Sequence, residues 1–127
     1  MDNLTINQPK ITKIREIIEK LLSEYVEYLK GSNLTVQPGT ESDQAIELIL
    51  DRENHRYLLV ETGWISQKRI YDVLIHLDII NEKLWIQKDE TEEGIADELV
   101  KLGISKEQIV LAYKSLPRRQ ITDFAVS

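Results

Sequence analysis

Between Lys10 and Leu29, apolar residues recur at spacings of three and four: Ile11, Ile14, Ile17, Ile18, Leu21, Leu22, Tyr25, Tyr28 and Leu29. This period predicts one long amphipathic helix with a wide apolar stripe. Pro9 is placed to start it and Gly31 to stop it, which leaves residues 1–9 as a flexible tail. Residues 31–43 read as a mobile loop by composition, with a Pro-Gly turn at Pro38 and Gly39.

The period then changes to two. Ala45 to Leu50 reads as a strand, Asp51 to Asn54 as a polar turn, and His55 to Glu61 as an interior strand with apolar residues on both faces. Gly63-Trp64 reads as a turn or bulge. From Arg69 to Ile79, Tyr71, Val73, Ile75, Leu77 and Ile79 alternate without a break and are expected to face the core. Asp72, Leu74, His76 and Asp78 are expected on the opposite face. A polar turn at Asn81-Glu82-Lys83 feeds Leu84-Trp85-Ile86-Gln87, and the pair reads as a hairpin. The pattern predicts an antiparallel meander of four strands.

The C-terminal third returns to helical spacing. Ile95, Ala96, Leu99 and Leu102 define a helix over residues 92–102, with Thr91 as cap and Glu92 and Glu93 at the positive end of its dipole. Gly103 closes it. Ser105 with Gln108 fits a capping box, opening a second short helix with Ile109, Val110 and Tyr113 that Pro117 ends. Gln120 to Val126 reads as a terminal strand or a strap. The whole is an α+β single domain over residues 10–127: an N-terminal helix, a four-stranded meander and two C-terminal helices.

Chemistry is thin. The 127 residues include no cysteine and two histidines. Thiolate catalysis, disulfides and Cys-based zinc sites are excluded. No HExxH spacing, Gly-x-Ser-x-Gly elbow, P-loop or dinucleotide-binding glycine pattern is present. His76 and Asp78 share a strand face, which suits an acid–base pair, part of a metal site, or a surface histidine with a local polar partner. Trp64 and Trp85 lie near strand ends, either as exposed interface anchors or as core beneath the helices.

The net charge of −6 disfavours general coating of nucleic acid, but it is an average. Residues 1–30 are balanced, 31–98 carry fifteen acids against six bases, and 99–127 carry five bases against two acids. The last group, Lys101, Lys106, Lys114, Arg118 and Arg119, is the candidate nucleic-acid contact. Residues 92–113 loosely match a helix-turn-helix, although several carboxylates would stand beside phosphates. The acidic run from Asp89 to Glu98 reads as a solvated turn or a docking surface for a basic partner. The N-terminus has no signal peptide and no apolar run spans a membrane, so a cytoplasmic protein is expected.

Longer-range order brings in a resemblance. Asp51 with His55 and Tyr57, Gly63-Trp64, Arg69-Ile70-Tyr71, His76-Leu77-Asp78 and Lys83-Leu84-Trp85-Ile86-Gln87 follow one another in a familiar order. So do Thr91-Glu92-Glu93-Gly94-Ile95-Ala96, Glu98-Leu99, Gly103-Ile104, Gln108-Ile109-Val110-Leu111 and Arg119-Gln120-Ile121-Thr122-Asp123-Phe124-Ala125. Over nearly the whole chain this resembles the XisI family, controlling factors for excision of the fdxN element in cyanobacteria. The resemblance implies a compact α+β domain and an accessory role beside a site-specific recombinase. It also implies an XisH-like partner and an indirect association with DNA, and supplies no catalytic residue, cofactor or metal ligand.

The reading is therefore a non-enzymatic interaction module, expected to homodimerise because a small sheet exposes edges. Asp72, Leu74, His76, Asp78, Glu92 and Glu93 are its candidate interaction surface. The alternatives are direct DNA binding through the C-terminal bases and a hydrolase or metal-dependent enzyme using His76 and Asp78. No small-molecule substrate is indicated.

Overall fold

A computed structural model describes the backbone of residues 3–32 and 43–127, and the side chains of 10–30 and 43–127. The helical stripe forms α1, Asn3–Ser32. Its buried residues are Ile14, Ile18, Leu21, Leu22 and Val26. Tyr28 is mostly exposed; Val26 takes the inward place instead. Helical backbone also runs back through Pro9, so residues 3–9 belong to α1 rather than to a flexible tail. A proline ring removes one helical hydrogen bond, a smaller loss near a helix start than deep inside it. The expected Pro38–Gly39 turn lies outside the described residues.

The sheet has five strands: β1 (Ala45–Asp51), β2 (Arg56–Ile65), β3 (Lys68–Ile80), β4 (Lys83–Asp89) and β5 (Ile109–Leu111). They lie in sequence order, β1 to β4 antiparallel and β5 parallel to β4. Gly63-Trp64 is not a turn, because β2 continues to Ile65. The turn between β3 and β4 is Asn81-Glu82, both at positive φ, as a type I′ turn requires. On one face of the sheet, Tyr57, Leu59, Ile75, Leu77, Ile79, Leu84 and Ile86 form a single core with the α1 stripe, Ile95, Leu99, Ile104, Ile109 and Leu111.

The C-terminal third departs most from expectation. The helix after β4 is short, α2 over Ala96–Lys101. Thr91 does not cap it directly. Asp89 reaches ahead instead, accepting from the Ile95 N–H at 2.7 Å and the Thr91 N–H at 2.9 Å. The Ser105–Gln108 capping box is present, but it opens only a 3-10 turn, Lys106–Gln108. Ile109, Val110 and Leu111 then become β5, buried on all three positions. Three consecutive apolar residues can be covered on both faces as a strand, whereas a surface helix would leave one of them out. β4, α2 and β5 thus form a parallel crossover, and the helix-turn-helix reading is corrected. Pro117 does not end a helix; it sits in the first turn of α3, Leu116–Arg119, where its missing N–H costs nothing.

Candidate interaction surface

The face of the sheet away from α1 is the one on which functional side chains can be presented. Its composition depends on two bulges. Between β2 and β3, Leu59 pairs with Ile75 but Val60 pairs with Val73, so Leu74 is an extra residue. The alternation of β3 changes phase there. Leu74 turns towards the core and packs against it. Tyr71 and Val73, expected inside, fall on the same face as His76 and Asp78, and Tyr71 is 72% exposed. Asp72 pairs with Glu61 and stands 3.9 Å from Lys88 Nζ, away from the Asp78 cluster. The expected set Asp72, Leu74, His76 and Asp78 is therefore split between the two faces.

The second bulge is at Gln87, since His76 pairs with Lys88 and Leu77 with Ile86. It lets Gln87 reach Asp78. Asp78 is the one buried charged residue among those described, 4% exposed. His76 Nε2 lies 2.8 Å from its Oδ1, Gln87 Nε2 donates to Oδ2 at 3.2 Å, and Arg56 Nη1 stands 3.7 Å away. A carboxylate taken from water needs such partners. Its neighbours are thus a guanidinium and an amide, not a third acid. Among the described residues, no three His, Asp or Glu side chains are grouped to hold a metal ion. Glu92 and Glu93 do not join this cluster. They are exposed in the turn before α2, on the side of Tyr25 of α1. That phenol is raised above its ordinary pKa by burial first and by nearby Asp89, Glu98 and Glu93 as well.

Beside the polar cluster the open face is mostly apolar, with exposed Glu47 paired to Val60. Ile49, Trp64 and Tyr71 are exposed on it, joined by half-buried Leu58 and Val73 and buried Val60. The Arg69 guanidinium lies 5.5 Å from the Trp64 ring centroid. At the other end, Trp85 and Val110 are covered by the C-terminal segment. The two tryptophans differ: Trp64 is an exposed residue, whereas Trp85 packs beneath Arg119 of α3.

With this geometry in place, comparison with known proteins is informative. The family model described as XisI protein matches residues 9–126. The chain belongs to the XisI family. Among solved structures it is similar to a XisI-like protein from Anabaena variabilis, at 35% identity and TM-score 0.76, covering 92% of this chain and 99% of that one. It is also similar to the fdxN element excision controlling factor XisI of Anabaena variabilis, at 29% identity and TM-score 0.72, covering 93% and 99%. No curated protein matches the chain. The family and the α+β fold expected from sequence are both established.

In this XisI chain the C-terminal bases do not form one stripe. Arg119 is turned inward: its guanidinium donates to the carbonyls of Lys114, Val126 and Ala112 at 2.9, 3.3 and 3.3 Å and lies 5.7 Å from the Trp85 ring centroid. Lys106 pairs with Asp123 at 3.7 Å and lies over Phe124. Lys114 lies over its neighbour Tyr113. Lys101 and Arg118 are exposed, but Lys101 is on α2, on the α1 side, whereas Arg118 follows the segment that crosses the other face. That exposed Ile49, Trp64 and Tyr71 share one face was not foreseen. Strict alternation hid them, and only an unusually long β3 hinted that a bulge was needed. Among the described residues, no helix is long and apolar enough to cross a membrane.

Proposed function

We infer that this chain is a non-enzymatic accessory factor in controlled excision of a DNA element, acting by binding an XisH-like protein. The observation that carries this reading is the open sheet face. His76, Asp78 and Arg56 are engaged with one another, while Trp64 and Tyr71 remain exposed near one another and Ile49 is exposed farther along the same face. Aromatic side chains on a rigid sheet are effective anchors, since they lose little conformational freedom on binding. The solved relative named as an excision controlling factor supports the setting; association with DNA runs through the partner and a recombinase, and the protein works in the cytoplasm.

The test is co-purification with the XisH-like protein, followed by DNA binding of each protein and of the complex at two salt concentrations. The pair is expected to co-purify, and Trp64→Ala with Tyr71→Ala is expected to weaken it at least about tenfold. Absence of co-purification sinks the partner reading. Tight, salt-sensitive DNA binding by the isolated chain points instead to direct contact.

A further inference from the structure

We propose that a second copy of this chain pairs along β1, joining two sheets into one continuous ten-stranded sheet about a two-fold axis at Leu48. This goes beyond the accessory role and involves the sheet edge rather than its open face.

The two edges of the sheet differ. β5 is only three residues long, and its outer side is bridged by Ala125, whose N–H donates to Ile109 O at 2.9 Å. β1 is seven residues long, and among the described residues no strand pairs with its outer side. It has no lysine, proline or bulge, and its charged residues are Glu47 and Asp51. The Asp43 N–H donates to Trp64 O, and the register runs on to Asp51 without a shift. By the two-residue period, odd-numbered residues bond to β2. Ile46, Leu48 and Leu50 therefore direct their N–H and C=O groups out of the sheet. Their side chains belong to the core face, yet each remains only half-buried.

Charge chooses the register. Antiparallel self-pairing that keeps the faces aligned can centre on Glu47, Leu48 or Ile49. Centring on Glu47 opposes two carboxylates, and centring on Ile49 opposes Glu47 to Asp51 twice. Centring on Leu48 sets Glu47 beside Ile49 and Ala45 beside Asp51, and on the core face joins Ile46 to Leu50 and Leu48 to itself. Of these three, only this register sets no like charges directly opposite and completes an apolar seam. Because one edge is open and the other protected, pairing closes at two copies instead of growing into a fibre. The open face stays available.

The chain has no cysteine, so single introduced cysteines report the seam cleanly. Wild-type protein is expected to run as a dimer in light scattering at micromolar concentration. Leu48→Cys is expected to cross-link under mild oxidation, because opposed residues lie within disulfide reach. Ile49→Cys, diagonal to its copy, is expected to cross-link at least about tenfold more slowly. Leu48→Lys, its fold checked by circular dichroism, is expected to weaken self-association about tenfold or more. A wild-type monomer overturns the proposal, as does faster cross-linking at Ile49→Cys than at Leu48→Cys. A monomer that pairs only with the XisH-like protein overturns it too, and leaves the partner reading standing.

Discussion

Gly63 sits at φ 128°, and a Cβ built there would lie 2.6 Å from the Asp43 carbonyl oxygen and 2.8 Å from Gln44 Cα. Both neighbours are backbone, held by the bond from Asp43 N–H to Trp64 O at 3.1 Å. They cannot yield as a flexible side chain would. Gly63→Ala is expected to cost about 3 kcal/mol in urea unfolding, combining a disfavoured φ with displacement of the β1 start. Asp51 illustrates a cheaper constraint. Hydrogen bonds from Asn54, backbone first and side chain second, hold its carboxyl below the ordinary value. A depressed folded pKa means its contribution is complete at neutral pH and is lost as pH falls through the folded value. Asp51→Asn is therefore expected to flatten the acid limb of a stability–pH profile below about pH 4, relative to wild type. The residue identities around Asp51 already marked this turn. Nothing marked Gly63 as a close approach, because its obstacle lies some twenty residues away in sequence.

Among the elements, the β3–β4 hairpin was legible from its flanking alternation and polar turn, and its weak point is local. Glu82 has φ 64°, after Asn81 at 51°. A side chain in the left-handed region costs about 1–2 kcal/mol, partly offset for glycine by a larger entropy loss on folding. Glu82→Gly is expected to stabilise the protein by about 0.5–1 kcal/mol and raise Tm by several degrees in calorimetry. The long helix and strands β1 to β4 were legible for the same reason: a period repeated often enough to be unambiguous. Ile109-Val110-Leu111 was not. Three residues carry no period, and their assignment to a strand depends on β4 offering a partner edge. The bulge at Leu74 has the same character. Counting along β3 alone cannot reveal it, because the extra residue is defined only against β2.

Across the whole molecule, the C-terminal segment decides how the sheet is closed. Arg119 ties three carbonyls between Ala112 and Val126 and covers Trp85. Its planar fork suits this job, and an ammonium group cannot satisfy all three acceptors in one plane. Arg119→Ala is expected to cost about 2 kcal/mol, with Arg119→Lys recovering little. In a Trp64→Phe background, the remaining Trp85 emission is expected to shift to longer wavelength in both variants as water reaches the indole. The net charge of −6 is read differently in this light, since part of the basic C-terminal group holds the fold together. Sequence by itself determined the family, the α+β class, the α1 stripe and most strand boundaries, because these follow from periodicity and from residue order over the whole chain. Only the tertiary structure decided which of two faces each side chain occupies and which charges are already paired. Those outcomes depend on strand register and on contacts between distant segments, neither of which a one-dimensional pattern contains.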